Sequence, residues 1–440
     1  MRDYALLLFV LGLVPFILWR AWIGALAWTW IGLMNPHLYT WQFASFPFAQ
    51  VIGLAFAAGW VIARDKRMVP TTPEMIGLGL LFVFVSVKTP FSWNHDVAWY
   101  LYSQFAKIVI AAVLISTIIY GEKRVRALFW TVIVSLGVAY GVKGGLFAIG
   151  SRGQLSVQGP EPSFIGGNTH LGVALIMVAP LFIAFMRDAT SVWLRRGAFV
   201  AFWLTLLACL FTYSRGTWLG LGAIGPLMWL QTKRKLLVLA ALIPAGIVGI
   251  GFVPERVFDR FDTIQEYEED LSALQRLQGW GVAFNVATRH PLGAGFTLDA
   301  TPVDRWMEYA NFVRPEFNRA NAAHSIYFQW MGDHGFLGLG LFLFVVGATL
   351  LTLWRVRQRV RGDPARAWLG HYAVALQIGI AGYLVAGAFV SLAYFDLFYT
   401  YVILAGILRR EAYAPTAQAA AAVAIAPQPA VASNAADRVA

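Results

Sequence analysis

The stretch YFQWMGDHGFLGLGLFLFVVGATLLTLWRVRQRVR, Tyr327 to Arg361, decides the fold class. From Phe336 to Trp354 it is almost wholly apolar, and it ends in four arginines. An α-helix rises about 1.5 Å per residue, so about 20 apolar residues cross a hydrocarbon core of about 30 Å. A basic cluster at the end of such a run marks a membrane boundary. The rest of the chain repeats the pattern. Of 440 residues, 59% are hydrophobic and 13% charged, with a mean hydropathy of +0.62. Soluble domains carry roughly 25% charged residues. The 18 Trp and 32 Phe fit interfacial belts and large lipid-facing surfaces. The expected class is an all-α polytopic membrane protein.

Further apolar runs lie near 4–34, 47–63, 75–92, 98–119, 125–148, 169–187, 193–213, 217–231, 236–253, 369–388 and 391–408. With 327–354 they make about 12 transmembrane helices, or 13 if 4–34 is a hairpin rather than one bent helix. The run from Tyr4 to Trp19 has no small-residue cleavage site and reads as a retained span. Between the spans stand "RDKR" (64–67), "EKRVR" (122–126), the Arg187–Arg196 loop, "KRK" (233–235), "WRVRQRVR" (354–361) and "RR" (409–410). Each successive pair is separated by two spans, so all six fall on one face. The positive-inside rule makes that face cytoplasmic. It also accounts for the net charge of +11 without invoking nucleic acid.

The domain organisation follows. N-terminal spans occupy 1–253, a periplasmic loop 254–323, and C-terminal spans 324–410. Residues 411–440, rich in Ala and Pro, read as a disordered cytoplasmic tail. No internal repeat is evident, which disfavours repeat-built transporters. Cys209 is the only cysteine, so no internal disulfide forms.

The outer face holds the ionisable residues that membrane burial does not explain. In the loop, "SALQ" (272–275) reads as a capping box opening a helix to about Thr288. That helix aligns Arg276, Trp280, Ala283 and Ala287, and "RHPLGAG" (289–295) ends it. Arg276 either snorkels or faces a partner. "YSRGTWLG" (213–220) puts Arg215 at an outer turn and near a helix start, where phosphate binds well. Lys88, Lys107 and Lys143 lie toward the outer halves of their spans. Cations without matching carboxylates in the same spans suit an anionic ligand such as a lipid-linked pyrophosphate. "GPEPSFIGGNTHLG" (159–172) offers Glu161, Asn168 and His170 just before a span; it reads either as a loop whose glycines and prolines set turns or as a site where Asn168 contacts sugar hydroxyls.

The same is true upstream of the quoted stretch, in "AAHSIYFQWMGDHGFLGLG" (322–340). Here His324 is expected to open the helix, sharing a face with Phe328, Met331 and Gly335. Asp333 and His334 would form a buried polar pair, and Gly335, Gly338 and Gly340 would admit a neighbouring helix. No HExxH-type spacing occurs, so metal-independent chemistry is expected.

The "HS" at 324–325, followed after nine residues by Gly335 and then Gly338, resembles a motif of the O-antigen ligases. "SRG" at an outer turn and "R-x3-W-x2-A" before "PLGAG" are similar to the same family. The N-terminal "WTWIGLMNPHLYTW" (28–41), with "PFAQ" and "RDKR" behind it, resembles the O-glycosylation ligases associated with exosortase A systems. The resemblance covers about residues 1–410. It implies a membrane C-type glycosyltransferase in the bacterial inner membrane, with a periplasmic active site and a cytoplasmic C-terminus. Such an enzyme moves a glycan from undecaprenyl pyrophosphate to an acceptor hydroxyl on a glycolipid, a glycan or a protein. It implies that Arg215 and Arg276 hold the pyrophosphate and that His324 stands by the acceptor. Lys88, Lys107, Lys143, Asn168, Trp280 and Ser325 make up the candidate substrate-binding set. No cofactor is implied, and membrane lipids are the remaining partners. A related polysaccharide polymerase and a non-catalytic transporter of lipid-linked glycan stay open as alternatives.

Overall fold

The computed structural model describes residues 2–41, 43, 46–232, 235–236, 271–312 and 319–415. Among these the secondary structure is helical, with no strand. In chain order the helices are α1 (Arg2–Trp19), α2 (Ala21–Met34), α3 (Phe48–Ile62), α4 (Pro73–Lys88) and α5 (His95–Ile118). Next comes α6 (Gly121–Gly150), which is π-helical over Ile133–Val142. Then follow α7 (Gly167–Asp188), α8 (Val192–Leu210), α9 (Arg215–Leu230) and α10 (Leu271–Arg289). The last four are α11 (Val303–Met307), α12 (Ile326–Arg359), α13 (Ala367–Gly387) and α14 (Asp396–Tyr413).

Seven of them, α4 to α8, α12 and α13, are long and apolar enough to cross a membrane. The expectation of about 12 also counted the shorter helices α1–α3 and α9, and α14, whose ends carry charge. The run 236–253 and most of the tail lie outside the described residues. The opening stretch is a hairpin rather than one bent helix. Phe9 meets Trp30 edge to face, and Gly24 sits against Ile17. The turn falls at Arg20, whose guanidinium lies 5.1 Å from the Trp19 ring centroid. A charge at that point is better held at an interface than inside a continuous span.

The basic clusters gather at one end of the helices. Arg124 pairs with Asp65 at 2.7 Å, and Arg126 pairs with Asp188 and covers the Trp368 ring. Arg410 donates to Ser116 O at 2.7 Å, and Arg187 to Gln231 O at 2.6 Å. Arg359 lies over Tyr413. The loops expected on the outer face meet at the other end. Asn94 Nδ2 donates to Ala300 O at 3.0 Å, Lys143 lies over Tyr39, and Tyr213 donates its hydroxyl proton to Gly153 O. Between the two ends α7 is the most buried of the seven candidate spans.

The helix that decided the class is not one helix in detail. It starts at Ile326, with Ser325 in the N-cap position, so His324 stands before it. It is broken at Gly335, where φ is 67° and ψ −170°. The expected face of 324, 328, 331 and 335 therefore does not form. A break removes helical donors for the carbonyls just before it, and those carbonyls need other partners. Ala294 N–H donates to Gly332 O at 2.9 Å, and Gly295 N–H to Asp333 O at 2.7 Å. The loop that ends α10 thus docks into the break. A Cβ on Gly335 would lie 1.8 Å from Pro291 O. Of the glycines expected to admit a neighbouring helix, Gly340 faces open space and Gly338 meets His334 and Phe84.

Asp333 and His334 are buried, as the pattern anticipates, but they do different things. The Asp333 carboxylate accepts from Leu298 N–H at 2.9 Å and from the Tyr394 hydroxyl at 2.8 Å. His334 packs among Phe84, Phe296 and Trp330. Helix α10 ends as expected at "RHPLGAG". It already includes Leu271, so Ser272 lies inside the helix rather than at its cap. Helix ends shift by a residue or two from sequence signals when packing extends the first turn.

The φ and ψ of Gly335 belong to a region open almost only to glycine. Gly335→Ala should cost at least about 1–3 kcal/mol from backbone strain alone, plus the clash with Pro291. Thermal stability of the detergent-solubilised protein should fall, while Gly340→Ala should match the wild type. Equal stability of the two variants would show that the break can relax.

Candidate functional site

The site is built where three chain segments meet at the loop-rich end. The first is the start of α9. Ser214 caps it by accepting from Thr217 N–H at 3.3 Å, which places Arg215 in the first turn. Asn168 Nδ2 donates to Thr212 O at 2.8 Å and ties the start of α7 to this turn. Gly216 rests against Ala386 O in the last turn of α13 and against Phe389 in the turn between α13 and α14.

The second segment is the lead into α12. His324 has a left-handed backbone, φ 45°, which is unfavourable for a residue with a side chain. Its N–H donates to Ser391 Oγ at 3.1 Å. Ser391 belongs to the same α13–α14 turn that supports Gly216. One turn therefore backs both Arg215 and His324. The His324 side chain is exposed, whereas Ser325 beside it is buried at 1% exposure.

The third segment is α10. Its apolar face lies on α12, with Ala283 and Ala287 fully buried. Trp280 stacks on Phe328 with centroids 4.9 Å apart and planes 6° apart, and its indole N–H donates to Ala323 O at 2.7 Å. Gln278 reaches Phe312 O at 2.9 Å and accepts from Asn321 Nδ2 at 3.1 Å. These bonds run residues 321–323 along α10 and deliver His324 to within electrostatic reach of Arg276.

His324 keeps an exposed side, but the residues packed around it partly desolvate the ring and lower its pKa from the ordinary 6.5, and Arg276 and His170 lower it further. His324 is thus neutral at pH 7 and can accept a proton. Arg276 and Arg215 bring fixed positive charge to the same end of the molecule. A neutral base beside guanidinium groups suits a reaction in which an alcohol loses a proton as an anionic group departs.

The structure brings together only some of the candidate residues. Arg276 acts electrostatically on His324, and the α13–α14 turn that holds His324 also packs against Gly216, next to Arg215. Trp280 and Asn168 use their polar hydrogens on backbone carbonyls, so both hold the site's walls. Ser325 is buried under the helix start. The three lysines do not cluster. Lys88 lies within electrostatic reach of buried His334, Lys143 covers Tyr39, and Lys107 is on an exposed stripe of α5 with Tyr100 and Ile110. His170, offered by the 159–172 loop, faces Ser391 and the Gly166 backbone and lies near Glu161. One contributor was not selected in the sequence. Ser391 gave no signal beyond a polar residue between two apolar runs.

Comparison with known families divides the chain into two overlapping parts. Residues 1–213 match a family of unknown function (DUF5935), and residues 200–343 match the O-antigen ligase family. No curated protein matches the chain. The second match contains Arg215, Arg276 and His324, so all three lie in an O-antigen ligase domain spanning residues 200–343.

Proposed function

We propose that this multi-span membrane protein transfers a glycan from undecaprenyl pyrophosphate to an acceptor hydroxyl, at the periplasmic face of the bacterial inner membrane. The observation that carries the reading is His324. It is exposed, held in a strained conformation by Ser391, kept neutral beside Arg276, and set inside the O-antigen ligase domain. The positive-inside pattern supports the sidedness, because the site lies at the end opposite the basic clusters.

In this reading the acceptor oxygen attacks the anomeric carbon while its proton passes to His324. The bond from that carbon to the pyrophosphate oxygen breaks, and its electron pair leaves with undecaprenyl pyrophosphate. Arg215 and Arg276 offset the charge that develops on the leaving group. A single displacement inverts the anomeric centre. The leaving group is already good, so the step draws on no cofactor. The acceptor is a glycolipid, a glycan or a protein, and the resemblance of residues 28–67 to the exosortase-associated ligases favours an O-glycosylation role. A polymerase would use the same three residues with a growing glycan as acceptor. Mass spectrometry of surface glycoconjugates after gene deletion separates these acceptors.

His324→Ala should lower glycan transfer by roughly 10²–10⁴-fold. Arg215→Ala and Arg276→Ala should each lower it by roughly 10²–10³-fold. The assay is release of undecaprenyl pyrophosphate by purified protein given donor and acceptor, with insertion and expression unchanged. Substantial transport activity retained by His324→Ala would favour a carrier without chemistry.

The same geometry sets a pH dependence. The His324 pKa is lowered, so the neutral base is present at pH 7 and is lost as pH falls through a midpoint below 6.5. The transfer rate should show an acid limb there. Arg276→Gln removes one cause of the lowering, so its residual activity should titrate at a higher pH than the wild type. An unchanged midpoint in that variant would remove His324 from the base role.

A further inference from the structure

A groove of about 1100 Å³ lies between α7, α8 and α9, away from the candidate site. Along α8 it is lined from Arg195 to Leu210, through Phe199, Trp203 and Leu206. At 1.5 Å per residue that distance is about 22 Å, whereas one leaflet of hydrocarbon is about 15 Å thick. The groove therefore accommodates the full length of an acyl chain. On the α9 side a Cβ built on Gly225 meets nothing within 4 Å, so the wall is open there.

One end of the groove is different. Arg187, Arg195 and His371 line it together with Gln231, and no carboxylate is among the described lining residues. Arg187 Nη2 donates to Gln231 O at 2.6 Å and Arg195 Nη2 to Ala189 O at 3.1 Å. One carbonyl thus fixes each guanidinium, and each keeps further N–H donors for an anion. This end belongs to the basic face, opposite Arg215, Arg276 and His324, so the donor glycan is not its occupant.

We propose that this groove binds one anionic phospholipid, with its phosphate between Arg187 and Arg195 and an acyl chain along α8. The charge pattern selects the occupant. A neutral or cationic headgroup gains nothing from two arginines and no carboxylate, whereas each basic side chain adds attraction for anionic lipid. The apolar length selects a lipid over a free phosphate.

The test is native mass spectrometry of the full-length protein after exchange into detergent with phosphatidylglycerol or phosphatidylcholine. The wild type should retain one phosphatidylglycerol and release phosphatidylcholine. Arg187→Gln with Arg195→Gln should weaken retention by roughly thirtyfold. Gly225→Phe, which fills the groove and leaves the arginines in place, should abolish it. Equal retention of the two lipids by the wild type overturns the proposal without any variant. So does undiminished phosphatidylglycerol in Gly225→Phe, or a polyprenyl phosphate retained in its place.

Discussion

The break at Gly335 is the constraint on which the rest of the loop-rich end depends. A continuous helix would satisfy the carbonyls of Gly332 and Asp333 internally and would leave α10 and its loop with nowhere to dock. Because the backbone leaves the helix there, two main-chain N–H groups of the 290–298 loop bond into it, and the Asp333 carboxylate takes a third. The same loop accepts from Trp93 N–H through Ala294 O at 2.8 Å. Three parts of the chain are thereby joined by main-chain bonds, which fix position more closely than apolar contact does. Arg276, on the helix before this loop, is set against the segment that carries His324.

Two histidines ten residues apart show how far environment outweighs identity. His334 lies fully buried in an aromatic box and packs as a flat apolar side chain with its polar edge enclosed. His324 lies outside the helix on strained backbone, with its ring open at the mouth. The strain at His324 is offset by the Ser391 hydrogen bond and by the Trp280 bond to the preceding carbonyl. Such offset strain is common where a side chain must be presented rather than packed.

The two ends of the molecule divide the labour. At the basic end, arginines are used mainly on carbonyls, carboxylates and rings, which seats the helices in the interface. At the other end Arg276 stands within electrostatic reach of His324, and Arg215 opens a helix at the same end. The apolar body between them, centred on α7, keeps these functions on separate faces. The lipid groove belongs to the anchoring end and the candidate site to the other.

The sequence by itself determined the class, the positions of most spans, the common side of the basic clusters and the likeness of one domain to the O-antigen ligases. Those properties are local or additive. Hydropathy sums along a window, charges count per loop, and motifs are read in order. It also placed Arg276, Trp280, Ala283 and Ala287 on one helical face, because helical spacing is a local property. Only the tertiary structure decided that His324 precedes its helix, that Gly335 breaks the helix, and that Ser391, 67 residues further on, holds His324. It alone gave Lys88, Lys107 and Lys143, all toward the outer halves of their spans in the sequence, different surroundings. Periodicity reports which residues share a face of one helix. It carries no information on which neighbour that face meets, or on a positive φ adopted by a histidine, because both are fixed by contacts between distant segments.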